Sequence, residues 1–300
     1  MAKNIGQAEV DRSNWRGLKP LLRAALMVPG VGALMRRVLP AGMAGRMPVA
    51  APQAVFRGEG DVAVILLDPR DCQVAAELHR HGGRFESPAD QLVMRFVQAI
   101  ARETAVFLDI GAYTGIFALL AARANPALKA VAYEIFPPTH RLLVRNIAAN
   151  GLTAQVEARL LGLADAVGEM TMPGRLNTAS LPSSLSLTSR FAGDITVPLD
   201  TLDRQTAGLA GPIVVKIDVE GHEPAVLAGG MTFLARHHPD IIAEVLPGEG
   251  ADLQAALAPL GYGFWHFTAE GLVRRAVLAG VRAERDWLFT RRADPNSLLA

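Results

Sequence analysis

The sequence predicts an α/β fold: a mainly parallel sheet with helices on both faces. Three observations predict it. Short apolar runs alternate with longer helix-like stretches over most of the chain, as repeated βα units do. The run "PIVVKIDVE" (212–220) is apolar without alternation at its start, as strands buried on both faces are. The chain has 300 residues, half of them apolar, enough for one large domain with an extension.

Residues 1–50 read as the extension and 51–300 as the domain. The first 50 residues carry eight basic side chains against Glu9 and Asp11, a net +6, which leaves the body near −5. Within them "LKPLLRAALMVPGVGALMRRVLPAGMAG" (18–45) spaces apolar residues as two short helices parted at Pro29. One reading is a basic amphipathic element whose residues 17–39 rest on an anionic membrane surface. The other is a helical cap on the body. From residue 50 the texture changes. "VAVILL" (62–67) is strand-like, and "ESPADQLVMRFVQAI" (86–100) is helical with Ser87 as N-cap and Pro88 in the first turn. Strand and helix then alternate: "AVFLDIG", "GIFALLAARA", "KAVAYEIF", "PPTHRLLVRNIAAN", "AQVEARLLGLA" as one strand, "PIVVKIDVE", "EPAVLAGGMTFLAR" as one helix, "DIIAEVL" and "ADLQAALAPLG". "GFWHFT" and "DWLFTRR" close the chain as an antiparallel pair. The Ser-, Thr-, Pro- and Gly-rich stretch 172–193 reads as a long loop of the lid or binding type.

Cys72 is the single cysteine, so neither an internal disulfide nor a Cys-based metal site is available. No apolar run approaches the roughly 20 residues that span a bilayer, and the first 20 residues lack a secretory apolar region. These features fit a cytoplasmic protein, peripheral at the inner membrane surface if residues 17–39 touch it. An acidic body with a basic arm poor in aromatics argues against nucleic acid as a partner.

The first chemical signal is "VFLDIGAYTGIFALLAA". Asp109, Gly111 and Gly115 fall at a strand-to-helix turn, and Tyr113 stands where the dinucleotide fingerprint G-x-G-x-x-G has its second glycine. A pyrophosphate needs that close backbone approach. S-adenosylmethionine, with no phosphate, needs a glycine turn beside its methionyl part and an acid for its ammonium. Glu134 ends the next strand and is placed to accept both ribose hydroxyls. Asp165, after the third strand, is a candidate for the adenine edge and equally a turn residue.

Taken with "AYEIFPPTHRLLVRNIAANGL", "SLPSSLS", "VPLDTLD" and "VVKIDVEGHEPAVLAGG…PDIIAEV", this block resembles the FkbM family of S-adenosylmethionine-dependent methyltransferases over about residues 84–247. The resemblance implies a class I (Rossmann-like) sheet of seven strands and methyl transfer to a hydroxyl oxygen of a small molecule, sugar or glycolipid. It assigns Asp109, Gly111, Gly115 and Glu134 to the cofactor, with Tyr113 in the same turn. It places Lys216, Asp218, Glu220, Gly221 and Glu223 in the signature run, and Glu86 as an acid ahead of the first core strand. Tyr113-Thr114 and Ile135-Phe136 depart from the usual pattern. Residues 1–50 lie outside it.

Charges at the end of an apolar strand are costly unless paired or wet. Lys216, Asp218 and Glu220 alternate at period two and are expected on one side of the strand, facing a pocket at the sheet's carboxyl edge; the alternative is a buried ion-pair network that only fixes the sheet. Alkylating a hydroxyl requires in-line alignment and a base. The candidates are Asp218 first, Glu220 second, then His222, with Glu244 orienting the acceptor. The expected site needs no metal; the second-ranked reading lets Asp218, Glu220 and Glu244 hold Mg²⁺. An NAD-dependent oxidoreductase and a non-catalytic membrane-associated adapter are the competing functions. The acceptor's identity and the oligomeric state are not written in the sequence.

Overall fold

The computed structural model describes residue 49 and residues 51–70, 72–172, 194–281 and 283–300. The basic extension, its proposed membrane contact through 17–39 and nearly all of the loop expected at 172–193 lie outside these residues. Among the described residues no helix is long and apolar enough to cross a membrane.

The chain begins its described part with a hairpin, β1 (Gln53–Arg57) and β2 (Ala63–Leu67), followed by α1 (Gln73–Arg80) and α2 (Pro88–Ala101). The βα alternation comes next: β3 (Val106–Ile110), α3 (Ile116–Ala124), β4 (Lys129–Glu134), α4 (Pro137–Ala149) and β5 (Val156–Leu160). After β6 (Gly162–Ala164), β7 (Gly168–Met172), β8 (Ile195–Thr201) and the short α5 (Leu202–Gln205) it resumes with β9 (Ile213–Ile217), α6 (Glu223–Ala228), α7 (Met231–His237), β10 (Asp240–Glu244) and α8 (Gly250–Leu257). Strands β11 (Gly263–Thr268), β12 (Gly271–Arg275) and β13 (Asp286–Thr290) end the fold.

The main sheet runs β12-β11-β13-β10-β9-β3-β4-β5. Strands β10, β9, β3, β4 and β5 are mutually parallel, and β13, β11 and β12 add antiparallel. The sheet therefore has eight strands rather than seven. The eighth, "GLVRR", hairpins back on β11, and its alternating, half-polar pattern suits an edge. The pairing of β11 with β13 is antiparallel, as expected. Alternate strand residues feed two cores, one per face. Phe107, Val214, Ile242 and Leu288 pack with α2, α3 and α4. Leu108, Val215, Ile241 and Phe289 pack with α6, α7 and α8.

Three local expectations change. "AQVEARLLGLA" breaks at Leu161, and β6 leaves for a separate sheet with β8 and β7. "EPAVLAGGMTFLAR" is two helices parted at Gly229-Gly230, and Gly229 packs against the carbonyl of Ala164 with no room for a Cβ. β9 ends at Ile217, so Asp218–Glu220 form a turn rather than more strand. There Glu220 takes a left-handed φ of 53°, and period-two alternation no longer governs it.

The register positions the site. Asp109 on β3 lies beside Lys216 on β9, and Lys216 beside Ile242 on β10. Two residues further toward the carboxyl edge, Glu244 stands opposite Asp286, the first residue of β13. Since side chains two apart share a face, Asp109, Lys216, Glu244 and Asp286 all face α2 and α3. Phe117 of α3 confirms this: Lys216 Nζ sits 5.1 Å from its ring centroid.

Candidate active site

The turn from β3 into α3 is closed by contacts that explain its residues. Gly111 has φ +80°, and a Cβ there would collide with the carbonyl oxygen of Asp218. The two strand ends therefore touch at this glycine, and Asp218 N donates to Ile110 O at 2.9 Å. Tyr113 adopts φ +48° although it is not glycine. Its backbone N–H donates to Glu134 Oε2 at 2.9 Å, and its hydroxyl donates to Cys72 Sγ at 3.4 Å. Gly115 precedes α3 with no side chain to cap it. Asp109 does so instead: its Oδ2 accepts from Ala118 N at 3.0 Å. Asp109 is fully buried, and burial raises its pKa to about 7.

Glu134 ends β4 with both oxygens engaged, Oε1 accepting from Phe136 N at 2.8 Å. Burial raises it, too, to about 7. Each carboxylate oxygen retains a second lone pair. Asn146 of α4 braces the turn from behind: Nδ2 donates to Thr114 O at 2.9 Å, and Oδ1 accepts from Leu67 N of β2 at 2.9 Å. Asn150, one turn on, reads Ile65 of the same strand through both its amide ends.

Beside this turn lies the charged end of β9. Lys216 is 1% exposed. Its Nζ is 3.0 Å from Asp286 Oδ1 and 3.5 Å from Asp218 Oδ2. Burial opposes its charge, but Asp286 and then Asp218 outweigh that and hold its pKa above the ordinary lysine value. Glu223, wholly buried, turns back on the preceding loop: Oε1 accepts from Val219 N and Oε2 from Gly221 N, both at 2.9 Å. It thus fixes the loop carrying Asp218 and Glu220. Glu244 is 8% exposed; Oε1 accepts from Arg285 Nη1 at 2.9 Å, while the buried Oε2 has no hydrogen-bond partner among the described residues. Burial, then Asp218, raises Glu244 to about 7. One carboxylate oxygen each from Asp218, Glu220 and Glu244 lie within 4.8 Å of one another.

The structure thus brings together Asp109, Gly111, Tyr113, Glu134, Asp218, Glu220 and Glu244. Gly115 lies in the same turn, and three further candidates, Glu86, Asp165 and His222, are exposed. Glu86 is exposed and faces His81 at 3.6 Å. Asp165 is exposed in the turn after β6, where Gly229 packs on its backbone. His222 is exposed at the start of α6. Three residues escaped the sequence reading: Asp286, Arg285 and Asp90. Asp90, in the first turn of α2, has its pKa raised to about 6 by burial and by Asp286. A lone lysine in an apolar strand announces a buried counter-ion, but only the β10–β13 register identifies it as Asp286.

A Rossmann-like α/β domain with a glycine turn, a carboxylate ending the next strand and a charged cluster at the fourth parallel strand defines a nucleoside-binding class of enzyme fold. The Methyltransferase FkbM domain family matches residues 109–263, just over half of the chain. The chain belongs to that family. Among solved structures it resembles the FkbM methyltransferase of Methylobacillus flagellatus KT at 14% identity, TM-score 0.41, over 62% of this chain and 44% of that one. The chain thus spans less than half of that protein's length. It also resembles an S-adenosylmethionine-dependent methyltransferase from Agrobacterium tumefaciens (11% identity, TM-score 0.44, 81% of this chain and 72% of that one). A third is a precorrin-6Y C5,15-methyltransferase from Geobacter metallireducens GS-15 (10%, TM-score 0.38, 67% and 89%). No curated protein matches the chain.

Proposed function

We propose that the protein transfers a methyl group from S-adenosylmethionine to a hydroxyl oxygen of a small molecule or glycan. One observation carries this reading: the glycine turn, Glu134 and Asp218 share one rim of the sheet, locked by the Asp218 N–Ile110 O bond and the Tyr113 N–Glu134 bond. The residues suit the cofactor by their chemistry. Glu134 keeps lone pairs for two ribose hydroxyls. Gly111 and Gly115 keep the turn free of side chains. Asp109 stiffens the turn through α3 and, at short range, favours the ammonium electrostatically. Bound there, S-adenosylmethionine supplies an electrophilic methyl carbon, its C–S electron pair returning to sulfur as the acceptor oxygen bonds to carbon.

The protein's own share is alignment and proton removal. Asp218 accepts the hydroxyl proton as the oxygen lone pair attacks, and Lys216 holds Asp218 from below. Glu220 is the alternative base, with its pKa raised by burial and by Asp218. Glu244, oriented by Arg285, positions the acceptor. His222 and Glu86, both exposed and outside the cluster, have no step in this scheme.

Calorimetry with S-adenosylhomocysteine and with NAD tests the cofactor; binding of NAD alone rejects the proposal. Metabolite mass spectrometry then compares strains expressing the wild-type protein and Asp218→Asn. The expected result is a metabolite gaining one methyl with the wild type and about 10²–10⁴-fold less with the variant, at unchanged S-adenosylhomocysteine affinity. Undiminished product with Asp218→Asn removes it as the base.

A further inference from the structure

The cluster at the carboxyl edge of β9 and β10 holds more negative charge than its neighbours neutralise. Among the described residues, Asp218, Glu220, Glu244 and Asp286 share two paired cations, Lys216 and Arg285, a formal deficit of two charges. Asp218 and Glu220 reach solvent, but the third carboxylate does not. Glu244 is nine-tenths buried, and Arg285 engages only its Oε1. Its Oε2 is shut off from water and accepts no hydrogen bond among the described residues. A buried acceptor left without a donor is a rare and costly feature that calls for an explanation. Glu220 likewise accepts no hydrogen bond among the described residues, and Asp218 is held by Lys216 only at 3.5 Å.

From this geometry we infer that Asp218, Glu220 and Glu244 form a binding site for one hard divalent cation of the Mg²⁺, Mn²⁺ or Ca²⁺ type. Their three oxygens lie within 4.8 Å of one another. Two oxygens on opposite sides of a Ca²⁺ ion stand about 4.6–5.2 Å apart, and a small closure brings them to the roughly 4 Å that Mg²⁺ requires. All donors are carboxylate oxygens, the ligands these cations prefer over softer metals. Glu223 fixes the backbone of the loop that carries two of the three ligands, through Val219 N and Gly221 N. The ion satisfies Glu244 Oε2 and cancels the two-charge deficit. The inference deepens the proposed methyl transfer and rests on that reading for its role: a cation bound by Asp218 polarises the acceptor hydroxyl as a Lewis acid, while Asp218 takes the proton on a lone pair that the ion leaves free. Binding of the ion does not depend on it.

The test is a Mn²⁺ titration of the chelator-stripped full-length protein, following free Mn²⁺ by electron paramagnetic resonance. S-adenosylhomocysteine affinity is measured on the same samples by calorimetry. The expected result is one Mn²⁺ per chain with a Kd at or below about 1 mM. Glu244→Gln and Glu220→Gln should each weaken it about tenfold or more, while Glu169→Gln, a remote exposed carboxylate on β7, leaves it unchanged. Glu220 is exposed, so its variant reports on binding without threatening the fold. Absence of saturable binding, or binding indifferent to both variants, overturns the site. S-adenosylhomocysteine bound normally without any Mn²⁺ site rejects the cation alone. A mutation-sensitive Mn²⁺ site with no S-adenosylhomocysteine binding supports the cation site and rejects the methyl-transfer reading.

Discussion

Replacing Lys216 with methionine keeps most of the side-chain volume and deletes the ammonium. The residue is almost fully buried, so its charge exists in the fold only because Asp286 at 3.0 Å and Asp218 at 3.5 Å outweigh the burial. After the change the two carboxylates lose that partner, and the Phe117 ring loses the cation beside it. Breaking a fully buried pair costs about 3–5 kcal/mol. Asp286 and Asp218 are 22% and 38% exposed, so water recovers part of their solvation and the low end, about 3 kcal/mol, applies. For a domain of this size that lowers Tm by about 6–12 °C. The lysine's folded pKa lies above its unfolded value near 10.4. Its contribution is therefore complete below that pH and is lost only as pH rises through the folded value. The deficit should thus be constant from about pH 6 to pH 9 in thermal melts followed by circular dichroism. Lys216→Met/Asp286→Leu should regain at least half of the loss, because it removes a charge stranded by the first change. A single variant melting within about 2 °C of wild type would refute the account of Lys216 as the hub of this cluster.

Other expectations follow from the same contacts. Glu223→Gln should cost about 2 kcal/mol and reduce methyl transfer more than it reduces S-adenosylhomocysteine affinity, since it frees the loop bearing Asp218; equal losses in calorimetry and turnover would contradict that. Gly111→Ala forces a Cβ onto the carbonyl of Asp218 at a φ that L residues resist, so S-adenosylhomocysteine binding should vanish in calorimetry even if soluble protein is recovered. Asp109, Glu134 and Glu244 have folded pKa values near 7, above their unfolded values, chiefly through burial. They bind more protons when folded, so their contribution is present below about pH 4 and is lost as pH rises through 7. The Tm of the cofactor-free protein should therefore fall between about pH 5 and 7.5, each group contributing on the order of 3 kcal/mol. Glu244→Gln should flatten the slope, and a Tm rising across that interval in differential scanning calorimetry would show the burial effect to be misjudged.

What the sequence disclosed depended on whether a signal was local. The strand-to-helix turns, the N-cap at Ser87 and the acid ending β4 are written in consecutive residues, and they stand where the pattern puts them. The end of β9 was overrun because "IDVE" continues the strand-like alternation; Gly111 crowding the carbonyl of Asp218 and Glu223 drawing in Val219 and Gly221 bend it instead. The splits at Leu161 and Gly229 arise from packing between segments far apart in the chain, which no window of sequence contains. For the same reason Asp286 and Asp90 were invisible: one enters through the antiparallel register of β13, the other through the placement of α2. Asp165, a candidate by its place after the third strand, and Glu86, a candidate by resemblance alone, stand in exposed bends.

Asn146 on α4 and Asn150 at its C-terminal cap carry a lesson for dissection of the protein. The family match begins at residue 109, yet Asn146 and Asn150 spend their amide groups on β2, some eighty residues upstream, and Asn146 passes that contact on to the carbonyl of Thr114. A fragment trimmed to the matched stretch would strip away this upstream splint and leave the turn between β3 and α3 propped from one side only. Any minimal version meant for crystallisation or grafting has to start before Gln53, with the hairpin kept as part of the folded body.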